Sequence, residues 1–132
     1  AERPRLIHWV ARSDDLARDA GPSGDGAREI LAMARGDFRW RIVVPADGGL
    51  PMAGLYPSLS RWDVPAHPAD RLPDQGCRLM KLEAFSRDPE TLRRSLAALG
   101  LERSLDVHAC PDDEKPQLVA YVASPRGLVE LD

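Results

Sequence analysis

The chain is poor in cysteine and in aromatic residues, and it has no long apolar run. Two cysteines stand far apart in 132 residues, aromatic residues make up 5%, and no hydrophobic stretch approaches the length of a membrane span. Cys77 and Cys110 form no CxxC motif and no zinc-ribbon spacing. We therefore expect two unpaired thiols in a reducing compartment, with a disulfide between them as the open alternative.

An excess of charge of one sign is also lacking. The chain has 18 basic and 21 acidic residues, for a net charge of -3, which predicts neither a nucleic-acid partner nor a membrane partner. The hydrophobic stretch after Arg3 and Arg5 is too short for a signal peptide, which favours a cytoplasmic protein. Because Ala1 replaces Met and a strand is predicted almost at once, we expect a piece of a longer chain.

The first half of the chain predicts one helix among strands. The clearest strand covers 37–45, because Phe38, Trp40 and Ile42 alternate with Arg39 and Arg41. The other predicted elements are a strand over 5–12, a helix over 16–20, a loop over 21–27, a strand over 29–35, a loop over 46–54 and a strand over 56–63. A helix is the open alternative over 29–35, because Ala and Met are common there.

The second half repeats this order after a linker rich in proline over 64–76. A strand over 77–85 precedes a helix capped by Asp88, with one apolar stripe of leucines and Gly100 as the C-terminal cap. Three strands follow, over 104–110, 117–124 and 128–131. The order β-α-β-β-β therefore occurs twice, which indicates an internal duplication within one α+β domain.

Six strings in this order carry a family resemblance: LIHWVARSDDL, RWRIVVPADGGLP, LYPSLSRWD, HPADRLPDQGCRL, DPETLRRSLAALGL and SPRGLVEL. Together they resemble the glyoxalase-like domain family of the vicinal-oxygen-chelate superfamily over residues 4–132. The resemblance implies an α+β fold of two βαβββ units, 4–63 and 77–132, with curved mixed sheets and helices on the convex face. It also implies a homodimer and a small-molecule ligand.

In that family a cleft holds a divalent metal, such as Zn, Ni, Fe or Mn, which polarises adjacent substrate oxygens. The resemblance implies a lyase, isomerase or dioxygenase acting on a small oxygen-rich molecule. His8 matches the histidine of the first strand and Glu130 the glutamate of the last, whereas Arg61 and Leu82 stand at the other two ligand positions. The alternatives are a hydrogen-bonded, partly buried His8, which the missing partners favour, and a solvent-facing Glu130.

Two further hypotheses need no metal. If the face of Arg39 and Arg41 is concave, these residues form a basic cleft with Arg61 and His8, next to Trp40, and bind a small anion. The alternative is a wet sheet face with no specific role, and the third hypothesis is a structural or regulatory domain. His108 and Cys110 share a strand face but lack a third metal ligand, and the chain has no GxSxG, P-loop or HExxH motif.

Overall fold

The computed structural model describes residues 3–21 and 28–132, which form two compact units. The N-terminal unit comprises residues 9–21, 28–51 and 57–73, and the C-terminal unit comprises residues 3–8, 52–56 and 74–132. Apart from Gly21, the loop predicted over 21–27 lies outside the described residues. Among the described residues, no helix is both long and apolar enough to cross a membrane.

The N-terminal unit is a mixed four-stranded sheet with one short helix. Its elements are β1 (Val10–Arg12), α1 (Leu16–Ala20), β2 (Arg28–Arg35), β3 (Phe38–Pro45) and β4 (Ser58–Trp62). The strands lie in the order β1-β4-β3-β2, with β1 parallel to β4 and the other neighbours antiparallel. Residues 28–35 are thus a strand, which resolves the open alternative.

Helix α1 defines one face of this sheet. Asp15 caps the helix by accepting a hydrogen bond from the backbone N–H of Arg18, and Leu16 is buried. Five residues are too few to hold a helix without tertiary packing. The helix contacts β2, β3 and β4, and the buried side chains of Val43 and Leu59 share one face as a cross-strand pair. We call this face of the sheet the α1 face.

The C-terminal unit is a second mixed four-stranded sheet with a longer helix. Its elements are β5 (Arg78–Ser86), α2 (Pro89–Ala98), β6 (Asp106–Ala109), β7 (Gln117–Ser124) and β8 (Gly127–Leu131). Asp88 caps α2 by accepting from the backbone N–H of Thr91, as the sequence predicted. Leu92 and Leu96 of α2 are buried, and so are Ala84 and Leu118, which form a cross-strand pair on the α2 face.

The two sheets share an order of elements but differ in strand order. In the N-terminal unit the first strand lies beside the last, whereas the C-terminal sheet runs β6-β5-β7-β8 and pairs its first two strands in parallel. The predicted α+β fold with two mixed sheets is confirmed, while the internal duplication stays a prediction. The strand predicted over 5–12 is also shorter than expected, because β1 begins at Val10.

A left-handed turn lies beside the segment that precedes β1. Met52 and Ala53 have φ values of 51° and 58°, which non-glycine residues rarely adopt. The next residue, Gly54, has a φ of 91°, and a Cβ atom there would lie 2.0 Å from the carbonyl oxygen of Ile7. Glycine is therefore required at this position by both the backbone angle and the close approach of a second chain segment.

We expect Gly54→Ala to destabilise the protein more than Gly48→Ala does, by roughly 1–3 kcal/mol, because of the overpacking that only the first variant creates. Gly48 is the matched control, since its φ is also positive, at 73°, but nothing lies within 4 Å of an added Cβ. Urea denaturation of both variants measures the difference. Equal free energies of unfolding would mean that the close approach at Gly54 costs nothing.

Candidate functional site

His8 lies in the C-terminal unit, next to the left-handed turn. Its Nδ1 atom is 3.0 Å from the carbonyl oxygen of Gly54. Because a carbonyl oxygen can only accept, Nδ1 carries the proton, and the neutral ring has its lone pair on Nε2. This arrangement is typical of histidines that bind a metal through the other nitrogen, and it equally describes a hydrogen-bonded structural histidine. Both interpretations of His8 therefore stay open.

Glu130 lies on β8 opposite Tyr121 of β7, on the sheet face away from α2. Within the described ranges, no three His, Cys, Asp or Glu side chains come close enough together to hold a metal ion. Arginine at 61 and leucine at 82 also cannot replace the missing ligands. The donor set thus does not fit the family's metal, and the role of His8 and Glu130 as its ligands stays a prediction.

The three predicted arginines share the α1 face, because Arg41 pairs with Arg61 in the same register as Val43 and Leu59. Each guanidinium already has an acceptor in this chain. Arg41 makes two hydrogen bonds with Asp63, of 2.9 and 2.8 Å, and this contact lowers the pKa of the Asp63 carboxyl. Arg61 donates to the backbone carbonyl of Asp14, and Arg39 donates to the carbonyls of Gly36 and Phe38.

The residues of the predicted basic cleft can each be placed within their own unit. The arginines lie on the side of the sheet that packs on α1, and His8 belongs to the other unit. Trp40 lies on the opposite face, where its ring centroid is 4.8 Å from that of Trp62. The anion-binding role of Arg39, Arg41, Arg61 and Trp40 therefore stays a prediction.

A polar cluster lies on the face of the C-terminal sheet away from α2. Its centre is the carboxylate of Glu83 on β5, a residue with only 8% of its surface exposed. The Nε2 atom of His108 on β6 lies 2.7 Å from Oε2 of Glu83, and the imidazole stacks on the ring of Phe85 at 5.2 Å. Two contacts therefore fix the His108 ring, while 45% of its side chain stays exposed.

Tyr121 and Lys81 complete the cluster. The Tyr121 hydroxyl donates to the Glu83 carboxylate, which lowers the pKa of Glu83 and raises the pKa of Tyr121 to about 12. Tyr121 thus stays protonated at neutral pH and acts as a hydrogen-bond donor. The Lys81 ammonium lies 3.6 Å from carboxylate oxygens of both Glu83 and Asp106. The Glu83 carboxylate thus has two hydrogen-bond donors and one nearby cation, which offset the cost of burying its charge.

Sequence reasoning missed Glu83 and Tyr121. The family's second histidine position was assigned to Leu82, whose register with Ala120 places it on the α2 face. The next residue, Glu83, faces the other way because side chains alternate along a strand. A single charged residue between Leu82 and Ala84 was the available signal, but the parallel register that brings His108 beside Phe85 and Glu83 is a tertiary property.

Two small cavities flank the cluster at the edge of the sheet. Each has a volume of about 280 Å³. One is lined by residues of α2 and β6, which include Leu96, Val107 and His108, and the other by residues that include Lys81, Asp106 and Arg103. Ligand pockets usually span roughly 300–1,000 Å³, so each cavity is close to the lower end of that range and suits a small molecule.

Together, the two mixed sheets and the polar cluster define an α+β domain with titratable side chains gathered on one sheet face. A family model described as glyoxalase-like domain matches residues 1–100 of the 132. The chain therefore belongs to the glyoxalase-like domain family, as its motifs predicted. No curated protein and no solved structure matches the chain significantly. The match includes β5 and Glu83 but ends before β6, so His108 and Tyr121 lie beyond it.

We expect stability to depend on pH through Glu83. Its carboxyl has a lowered pKa, with the Tyr121 hydrogen bond as the main cause, so the unfolded chain binds this proton at a higher pH than the folded one. The stabilisation is full above the ordinary carboxyl pKa of about 4.3 and falls as the pH drops towards the lowered value. In Glu83→Gln no carboxyl is present at this position, so the part of the acid-induced loss of stability that comes from Glu83 should be absent.

Free energies of unfolding, measured by urea denaturation between about pH 6 and pH 3, test this expectation. The matched control is Glu114→Gln, which changes an exposed glutamate in the same unit. The wild type should lose more stability than Glu83→Gln across this range, and the control should follow the wild type. Parallel curves for all three proteins would contradict the assignment of Glu83.

Proposed function

We propose that this glyoxalase-like domain binds a small oxygen-bearing molecule at the Glu83–His108 cluster and moves a proton on it. The observation that carries the proposal is the 2.7 Å contact between Nε2 of His108 and the buried carboxylate of Glu83. A carboxylate that orients an imidazole and stabilises its protonated form is the usual arrangement for a histidine base. The resulting activity is that of a lyase or an isomerase.

His108 is the residue that takes the proton. Because Nε2–H donates to Glu83, the lone pair of the neutral ring lies on Nδ1. Nδ1 accepts a proton from a carbon next to a carbonyl group, and the electron pair of the broken C–H bond moves onto the carbonyl oxygen. The nearby Lys81 ammonium, which is half exposed, favours the negative charge that develops there. When the deprotonated carbon carries a hydroxyl group, this hydroxyl passes its proton to the oxyanion and becomes the new carbonyl, and His108 returns its proton to the former carbonyl carbon, which gives an isomer.

The size of the adjoining cavities supports a small substrate. Both hold about 280 Å³ and both are lined by Asp106, one next to His108 and the other next to Lys81. A molecule of three or four carbons with a carbonyl and a hydroxyl group suits this volume. Arg103 and Lys81 at the second cavity would also accept an anionic group on the substrate.

The proposed step uses only side chains of this chain, and within the described ranges no three His, Cys, Asp or Glu side chains come close enough together to hold a metal ion. The hypothesis of a divalent metal on His8 and Glu130 therefore requires ligands from elsewhere. The anion-binding hypothesis requires Arg39, Arg41 and Arg61 to exchange their present acceptors for a ligand. As the family resemblance implies, we also propose that the domain acts as a homodimer.

We expect the protein to catalyse hydrogen–deuterium exchange next to the carbonyl of hydroxyacetone or pyruvate in D₂O. General-base catalysis typically contributes 10²–10⁴-fold, so His108→Asn should slow the exchange at least about 100-fold. Proton NMR of the substrate signal measures the rate. Glu83→Gln should retain part of the activity and shift its pH profile, because it removes the carboxylate partner of the imidazole.

Two controls separate this proposal from the alternatives. Arg94→Ala changes an exposed residue on α2, and this variant should catalyse the hydrogen–deuterium exchange of the substrate at the same rate as the wild type. His8→Ala should also keep the activity, whereas loss in that variant together with loss of stoichiometric zinc or nickel binding would favour the metal hypothesis. Exchange no faster than in buffer for both compounds, or equal rates in His108→Asn and the wild type, would refute the base assignment.

A further inference from the structure

The strand β2 forms an exposed edge of the N-terminal sheet. It pairs with β3 along its whole length, and the described residues supply no strand on its other side. Its apolar side chains are unusually open for a strand, with Ile30, Leu31 and Met33 exposed by 41%, 40% and 43%. Such an edge offers a row of unpaired backbone groups next to apolar side chains, which is a template for pairing with another strand.

The two faces of β2 restrict how a second copy could pair with it. Residues with odd numbers lie opposite Trp40 and Ile42, away from α1, while residues with even numbers lie on the α1 face. A two-fold axis perpendicular to the sheet makes the two strands antiparallel and keeps both α1 faces on the same side. Odd residues must then pair with odd residues, and even residues with even ones.

One such register is complementary in charge. When the axis passes through Ala32, Glu29 lies opposite Arg35 of the second copy, and Leu31 lies opposite Met33. Cross-strand pairs of opposite charge and of apolar side chains both stabilise a sheet. An axis at Leu31 would instead place Glu29 opposite Met33, and an axis at Met33 would place Arg35 opposite Leu31. Only the register centred on Ala32 pairs the charges, and symmetry forms each pair twice.

We infer that β2 is the dimer interface: two copies of this chain pair their β2 strands antiparallel about Ala32 and form one continuous eight-stranded sheet. The partner is therefore a second copy, selected by the Glu29–Arg35 pairs and by the apolar contacts between them. This inference names the surface of the homodimer proposed above and rests on that proposal. It does not depend on the Glu83–His108 cluster, which lies in the other unit.

Charge reversal tests the interface. The molecular mass, measured by analytical ultracentrifugation, should be twice the monomer's 14.5 kDa for the wild type. Glu29→Arg places arginine opposite arginine, and Arg35→Glu places glutamate opposite glutamate, so each variant alone should dimerise at least about ten-fold more weakly. The double variant Glu29→Arg/Arg35→Glu should dimerise again, and an equimolar mixture of the two single variants should form a heterodimer.

Arg126→Glu is the matched control, because it reverses an exposed charge in the turn between β7 and β8. Circular dichroism should be the same for all variants, since both reversed positions are exposed. A wild-type dimer that persists in both single variants would overturn the inference while leaving the homodimer in place. A wild type that stays monomeric at high concentration would overturn both. Failure of the double variant and of the mixture to dimerise would also contradict the register.

Discussion

The polar contacts of the C-terminal unit centre on the buried carboxylate of Glu83, which requires hydrogen-bond donors. Glu83 is covered on a sheet face, and an unpaired charge there would be costly, so Tyr121, His108 and Lys81 supply hydrogen bonds and positive charge. These partners come from three strands, which ties the register of β6 and β7 to β5. The same contacts hold the imidazole in one orientation, so the interaction that satisfies the buried charge also orients the ring that we propose as a base.

The family's fold is kept, and within the described residues no three His, Cys, Asp or Glu side chains come close enough together to hold a metal ion. By the family resemblance, Arg61 stands where a ligand carboxylate is expected, and here it donates to the backbone carbonyl of Asp14, just before α1 begins. Family membership thus establishes the fold, while the chemistry has to be argued from the side chains that are present. The cluster around Glu83 offers titratable groups that need no metal.

Both sheets end in exposed apolar strands. In the N-terminal unit, α1 has only five residues and buries a small part of the sheet, so β2 is left open at the edge. In the C-terminal unit, β8 is also exposed along its length. Single domains usually protect such edges with charges, bulges or partners. Glu29 and Arg35 place a charge near each end of β2, and we propose that these charges select one register between two copies.

The sequence by itself determined most of the elements. Alternation in 37–45, the Asp88 cap and the leucine stripe of α2 depend on neighbours along the chain, so local rules were enough to place β3 and α2. The sequence motifs were also enough to predict the family. The strand order of the second sheet, the placement of residues 3–8 with the C-terminal unit and the meeting of Glu83 with His108 were decided only by tertiary structure. The physical reason is that strand pairing joins residues far apart in sequence, and a shift of one residue moves every side chain to the other face.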